Sequence, residues 1–219
     1  VAVSDVYIKV FNDRMYAENG VVLHFGDGRP CWIIDPGLPP EPEQMIRYIR
    51  EHELTPAAIV MTHAHSDHMA GIDSVRDALG QIDLYLAREE WPMLTDPMQN
   101  LSGQFGANIT ARTDALHDLP HGSELQLDGT RWRVFDTSGH SPGGRTIYCA
   151  ELKLAFVGDA VFAGSIGRTD FHHSNHENLL ANIRENILTL PDDTQLICGH
   201  GPATTVGAER TSNPFLQNV

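Results

Sequence analysis

The chain has 219 residues, 41% of them hydrophobic and 20% charged, a composition that supports a sizeable buried core. Its formal net charge is −14 with no cluster of Lys or Arg, which disfavours nucleic acid and other polyanions as partners. Cys31, Cys149 and Cys198 lie in or beside apolar runs and read as buried free thiols of a reducing compartment. No apolar run is long enough to cross a membrane, and VAVSDVYIKV lacks the basic-then-apolar form of a signal peptide. A soluble, cytoplasmic protein is the expectation.

Residues 6–11 and 14–25 read as the first strands, with Asn12-Asp13 and Asn19-Gly20 as hairpin turns. Residues 31–34 form a short buried strand that stops at Asp35-Pro36-Gly37. The spacing of Met45, Ile46 and Ile49 predicts a helix over 41–52. An apolar strand over 57–61 runs into VMTHAHSDHMAG, and a helix (72–79) and a strand (82–86) follow, giving a βα alternation. Residues 89–122 are the least regular region, read equally as a substrate-facing insertion or as a helical surface excursion. Beyond it, 125–127 and 131–135 bracket Asp128-Gly129 as a hairpin, and 146–150 and 152–157 read as strands. A helix over 178–190 and a strand over 195–198 complete the pattern. Nothing resembling a linker or repeat divides the chain, so residues 1–219 read as one domain.

The chemistry sits at strand ends. His63, His65, Asp67 and His68 form an H-x-H-x-D-H pattern just past an apolar strand. Imidazole nitrogens and carboxylate oxygens suit borderline-soft divalent metals, zinc above all. In an extended loop His63 and His65 point to one side and can share an ion, while Asp67 and His68 turn the corner toward a second. The alternative, in a chain with 12 histidines, is a solvated His-rich turn. Yet the event repeats: Thr62-His63, Gly139-His140, Gly158-Asp159 and Gly199-His200 each follow an apolar strand, three of them beside a glycine that permits close backbone approach. Open αβ sheets bind ligands beyond their strand ends. Seven candidate ligands therefore converge: His63, His65 and His140 for one ion, Asp67, His68 and His200 for a second, and Asp159 between them. Asp67 is also the candidate proton acceptor. Asp35, at another strand end, either orients a ligand histidine or caps a turn.

Two ions sharing a water lower its pKa from about 15.7 toward 7, and the resulting hydroxide is expected to attack a carbonyl. A thiolate, with a free pKa near 8.5, departs without a proton donor. No Ser or Cys reads as a nucleophile. Such a site fits a thiolate leaving group, leaves a lactone intermediate, and makes a β-lactam amide, whose nitrogen needs a proton, less natural.

The set H-x-H-x-D-H, G-H-S-P-G-G, G-D and G-H resembles that of the metallo-β-lactamase superfamily. GSIGRTDF (164–171), GHGPATT (199–205) and NPFL look like its glyoxalase II-like branch. The resemblance covers nearly the whole chain. It implies an α/β fold, the αβ/βα four-layer sandwich, and a hydrolase holding two divalent ions, zinc first, with iron or manganese as alternatives. Thioesters such as S-lactoylglutathione are the implied substrates. Better-known members carry a C-terminal helical domain whose basic residues hold the glutathione carboxylates; this sequence is similar to the shorter members without it. The RTD match makes Arg168, Thr169 and Asp170 braces of the site loop, or Arg168 a contact for an anionic substrate. His172, beside them, is a candidate substrate contact. One rival shares the scaffold, a mononuclear iron persulfide dioxygenase using His63, His140 and Asp159 around one Fe(II).

Overall fold

The computed structural model describes residues 5–217; the ends of the N-terminal segment read for a leader and of the 1–219 domain reading lie outside them. The first sheet has six strands: β1 (Tyr7–Asn12), β2 (Asn19–His24), β3 (Pro30–Ile34), β4 (Thr55–Val60), β5 (Leu84–Leu86) and β6 (Leu116–Asp118), ordered as in the chain. Its first three strands pair antiparallel and β3 to β6 pair parallel. The parallel part needs crossovers, and α1 (Glu41–Glu51), α2 (Ser66–Met69) and α3 (Ile72–Leu79) lie within them. The second sheet uses β7 (Glu124–Leu127), β8 (Thr130–Asp136), β9 (Arg145–Cys149) and β10 (Leu154–Gly158). A small hairpin, β11 (Val161–Phe162) and β12 (Ser165–Ile166), and the helix α4 (His176–Asn186) precede β13 (Gln195–Cys198), β14 (Thr204–Thr205) and α5 (Val206–Ser212). The order is β14-β13-β10-β9-β8-β7.

Period-two alternation divides the apolar residues between layers. Val21, Leu23, Trp32 and Ile34 on one sheet face Trp132, Val134, Ile147 and Phe156 on the other, forming the central core. Their neighbours in sequence, Val22, Ile33 and Ile59, face outward onto Met45, Ile49 and Ile72 of the helices. On the far side Ala155, Val157 and Leu196 pack against Leu179, Ile183 and Val206. Helices therefore cover both outer faces of a two-sheet sandwich, the αβ/βα architecture expected. Strand β2 is buried throughout, as a strand covered on both faces must be.

Two sequence expectations change, and one region left open is filled in. Asn19-Gly20 is not a turn; both residues pair in β2, opposite Asn12 and Phe11. The true turn is organised by Asp13, whose carboxylate accepts the N–H groups of Tyr16 and Glu18 at 2.8 and 3.0 Å. Helix α4 stops at Asn186, before the expected 190. Ile187 and Leu190 stay buried at apolar spacing, but Pro191 follows and disfavours a helical residue before it. Residues 89–122 hold the strand β6 and two short 3-10 turns, Arg88–Leu94 and Ser102–Phe105, that pack under the site loop.

Candidate metal centre

Every candidate ligand leaves a strand at the same edge of the sandwich. His63 and His65 follow β4, with Asp67 and His68 in the short α2; His140 follows β8, Asp159 follows β10, and His200 follows β13. The structure brings all seven side chains together. His140 Nε2 lies 2.9 Å from His65 Nδ1, and His68 Nε2 lies 3.3 Å from His200 Nε2. Asp159 sits between the groups: Oδ1 is 3.5 Å from His68 Nε2, and Oδ2 is 3.3 and 3.4 Å from the Nε2 atoms of His140 and His200. His200 Nε2 is also 3.5 Å from Asp67 Oδ2.

Four tautomers follow from fixed partners. The Nδ1–H of His140 donates to the Arg168 carbonyl at 2.8 Å and that of His200 to the Tyr16 carbonyl at 2.9 Å. His68 donates from Nδ1 to Asp35 Oδ2 at 3.1 Å. Thr62 Oγ1 donates its own proton to Asp35 Oδ2 (2.6 Å), so at 3.1 Å it accepts from His63 Nδ1. In the neutral ring each Nε2 keeps its lone pair aimed into the centre, the usual way an outer partner orients a metal ligand. Asp35, which also accepts the Thr62 N–H at 2.7 Å, is spent on this task although it groups with His63 and His68 by distance.

The donor set fits divalent ions. His63 Nε2 and Asp159 Oδ1 are buried without hydrogen-bond partners, a costly state unless something else satisfies them. Two clusters, His63–His65–His140 and Asp67–His68–His200, each place three ligand atoms within 4.8 Å of one another. Ligands 2.0–2.1 Å from a tetrahedral ion stand about 3.3 Å apart, close to the spacings above. Burial, aided by the neighbouring histidines, lowers the pKa of His63 and His65 well below the usual imidazole value, so both stay neutral and ready to bind. Burial opposes a charge on His68, yet Asp159, Asp67 and Asp35 push it up to about 10. Burial would raise the Asp159 carboxyl, but His68, His200 and His140 hold it well below the carboxylate range.

Glycines let the strand ends close on Asp159. A Cβ at Gly199 would overlap Asp159 Oδ1, and one at Gly167 would overlap the Asp159 carbonyl.

Two supports escaped the sequence reading. Glu90, in the first 3-10 turn, is fully buried and accepts the Ala64 N–H at 2.9 Å and the Gly143 N–H at 2.6 Å. It ties the HAHSDH loop to the GHSPGG loop. Asn100 presents its carbonyl to the Ser66 N–H at 3.0 Å, while its own amide donates to the carbonyls of Met93 and Ile109. The only sequence signal for Glu90 is a carboxylate set beside the apolar WPML run. Burial raises its pKa against the pull of its N–H partners. In Glu90→Gln one acceptor becomes an NH2 facing a backbone donor. We expect a loss of about 2 kcal/mol in urea unfolding at fixed metal, or roughly 4–8 °C in Tm. An unchanged midpoint would show that the two loops hold without it.

Of the remaining expected residues, Arg168 pairs both Nε and Nη2 with Asp170 at 2.6 Å. His172 is exposed at the surface, its Nε2 2.9 Å from His173 Nδ1.

Comparison with known proteins agrees with this frame. The family model described as the metallo-beta-lactamase superfamily matches residues 16–200. The chain belongs to that superfamily. It is similar to the hydroxyacylglutathione hydrolase GloC of Haemophilus influenzae, 36% identical over 90% of this chain and 92% of that protein. Its structure is similar to that of the BLEG-1 B3 metallo-beta-lactamase, with a TM-score of 0.89, 39% identity, and coverage of 96% of this chain and 100% of the other. TTHA1623 in a di-iron-bound form gives a TM-score of 0.82 at 32% identity, over 95% of this chain and 100% of that one. Superfamily membership together with the side-chain clusters identifies a metal-dependent hydrolase with a histidine and aspartate site for divalent metal. Among the described residues, no helix is long and apolar enough to cross a membrane.

Proposed function

We propose that this superfamily member is a dinuclear hydrolase of small-molecule thioesters, of the hydroxyacylglutathione type named for the Haemophilus relative. The observation that carries the reading is the meeting of two three-ligand clusters at the two oxygens of Asp159. His63, His65 and His140 would hold one ion and Asp67, His68 and His200 the other, with Asp159 serving both. Zinc suits this nitrogen-rich set, and iron is the alternative given the di-iron form of the TTHA1623 neighbour. Bound there, such ions lower the pKa of water toward about 7 and polarise a carbonyl. Residues 1–219 are taken as one domain, and a reducing, cytoplasmic setting fits three free, buried cysteines.

The chain's own groups do the rest. Asp67 and His200 are the more open of the seven, their side chains 21% and 22% exposed, and face the crevice. Asp67 is therefore the group placed to accept a proton from an attacking water. The crevice is lined by neither Lys nor Cys and offers only the hydroxyls of Tyr16, Ser66 and Ser165 as weak donors to a leaving nitrogen. A thiolate needs none. An amide needs one, and general acid catalysis is worth about 10²–10⁴ in rate.

The B3 metallo-beta-lactamase neighbour makes β-lactam hydrolysis the second reading. With metal-loaded protein, kcat/KM for S-lactoylglutathione should exceed that for a penicillin by about 10²-fold or more. The reverse order would replace the thioester reading with the lactam one.

A further inference from the structure

Beyond the ligand side chains the crevice opens to about 370 Å³, and its wall changes character. Tyr16, Leu101, Phe105, Phe162, Ile166 and Phe171 line it. Phe105 is 73% exposed and Tyr16 44%, so this apolar surface is open to solvent where a binding partner can cover it. It is also continuous with the centre. The Phe171 ring stands 5.3 Å from His65 and 5.7 Å from His140, and Phe162 stands 5.9 Å from His200, all edge-on. The smaller hollows around Thr62 and Gly158, on the buried side of the centre, hold only about 10 Å³ each. A carbonyl at the centre therefore has one direction for the bulky half of its molecule, outward along these rings.

Charge in the same wall points the same way. Arg168 is its one guanidinium or ammonium group, and it is already engaged. Both Nε and Nη2 donate to Asp170, and Cζ lies 4.6 Å from the Phe171 ring centroid. A substrate carboxylate entering here meets no unpaired cation, on a chain whose formal net charge is −14. Glutathione carries two carboxylates and one ammonium. Its carboxylates would have to displace Asp170 or remain in water.

Resting on the thioesterase reading, we infer that the outer crevice selects an apolar, uncharged bulky half, so that thioesters of aromatic or aliphatic thiols are better substrates than those of glutathione. Aromatic rings on aromatic rings supply the attraction, and the engaged Arg168 removes the reason to prefer an anion.

The test holds the acyl group small and varies the thiol. The acetyl thioesters of 2-phenylethanethiol and of glutathione are compared on metal-loaded protein. We expect kcat/KM at least 10-fold higher for the phenylethyl compound. Phe105→Ala should lower that ratio, acting on KM more than on kcat. Asp170→Asn, which releases the Arg168 guanidinium, should raise kcat/KM for acetylglutathione several-fold. Equal or faster hydrolysis of acetylglutathione by the native protein overturns the inference and leaves the thioesterase reading standing. Hydrolysis of neither compound overturns both.

Discussion

Replacing Asp159 with Asn is expected to lower kcat/KM for thioester hydrolysis by about 10³ or more, equivalent to about 4 kcal/mol of barrier. The carboxylate places one oxygen near His68 and the other near both His140 and His200. An amide keeps one acceptor and turns the other position into a donor aimed at lone pairs, so it cannot serve both clusters. Metal content should fall with activity. The metal-free variant should still fold, because Asp159 lies beyond β10 and outside the central core. Elemental analysis, steady-state rates and circular dichroism on the same preparation check the three statements. Full activity with full metal content would remove Asp159 from the centre.

Stripping the metal is the second large effect. Protein purified without added metal should hold about two equivalents per chain, and chelation should abolish hydrolysis. It should also lower the melting temperature. Free ion at about 1,000 times its dissociation constant stabilises a site by about 4 kcal/mol, or roughly 8–16 °C for a chain of this size. The physical reason is the pair of buried unpartnered atoms on His63 and Asp159, which water alone would have to satisfy after removal. One equivalent of iron, with oxygen consumed in the presence of a persulfide, would shift the assignment to the dioxygenase reading. No change in melting temperature on chelation would sever the link between the clusters and metal.

The legible parts of this sequence were those where one residue carries its own signal. An H-x-H-x-D-H run needs no partner to be recognised, and apolar strands ending in Gly-His or Gly-Asp mark a sheet edge. The αβ alternation was readable because β-branched runs and helical spacing alternate cleanly from Cys31 to Leu79. Relations between distant residues were not readable. Glu90 looks like a surface acid until the fold sets the N–H groups of Ala64 and Gly143 against it. Asn19-Gly20 has the local form of a turn, but Gly20 is needed where Glu41 and Met45 press against the strand. Its N–H donates to Glu41 Oε1 at 2.7 Å. Strands β5 and β6, of three residues each, are too short for periodicity to register. Their pairing depends on neighbours already in place.

The donors come from both halves of the sandwich. His63, His65, Asp67 and His68 belong to the sheet of β1 to β6, while His140, Asp159 and His200 belong to the sheet of β7 to β14. A bound ion is thus a cross-link between two layers that are otherwise joined by apolar packing and by a few hydrogen bonds at their edge, such as Asn19 N–H to the Gly199 carbonyl at 2.8 Å and Arg145 N–H to the Thr62 carbonyl at 2.9 Å. No fragment ending before position 200 can present both clusters, so metal capture reports that both halves have folded and docked. Amide exchange at the strand ends of either sheet should slow together on metal addition, as the two layers lose the freedom to open independently.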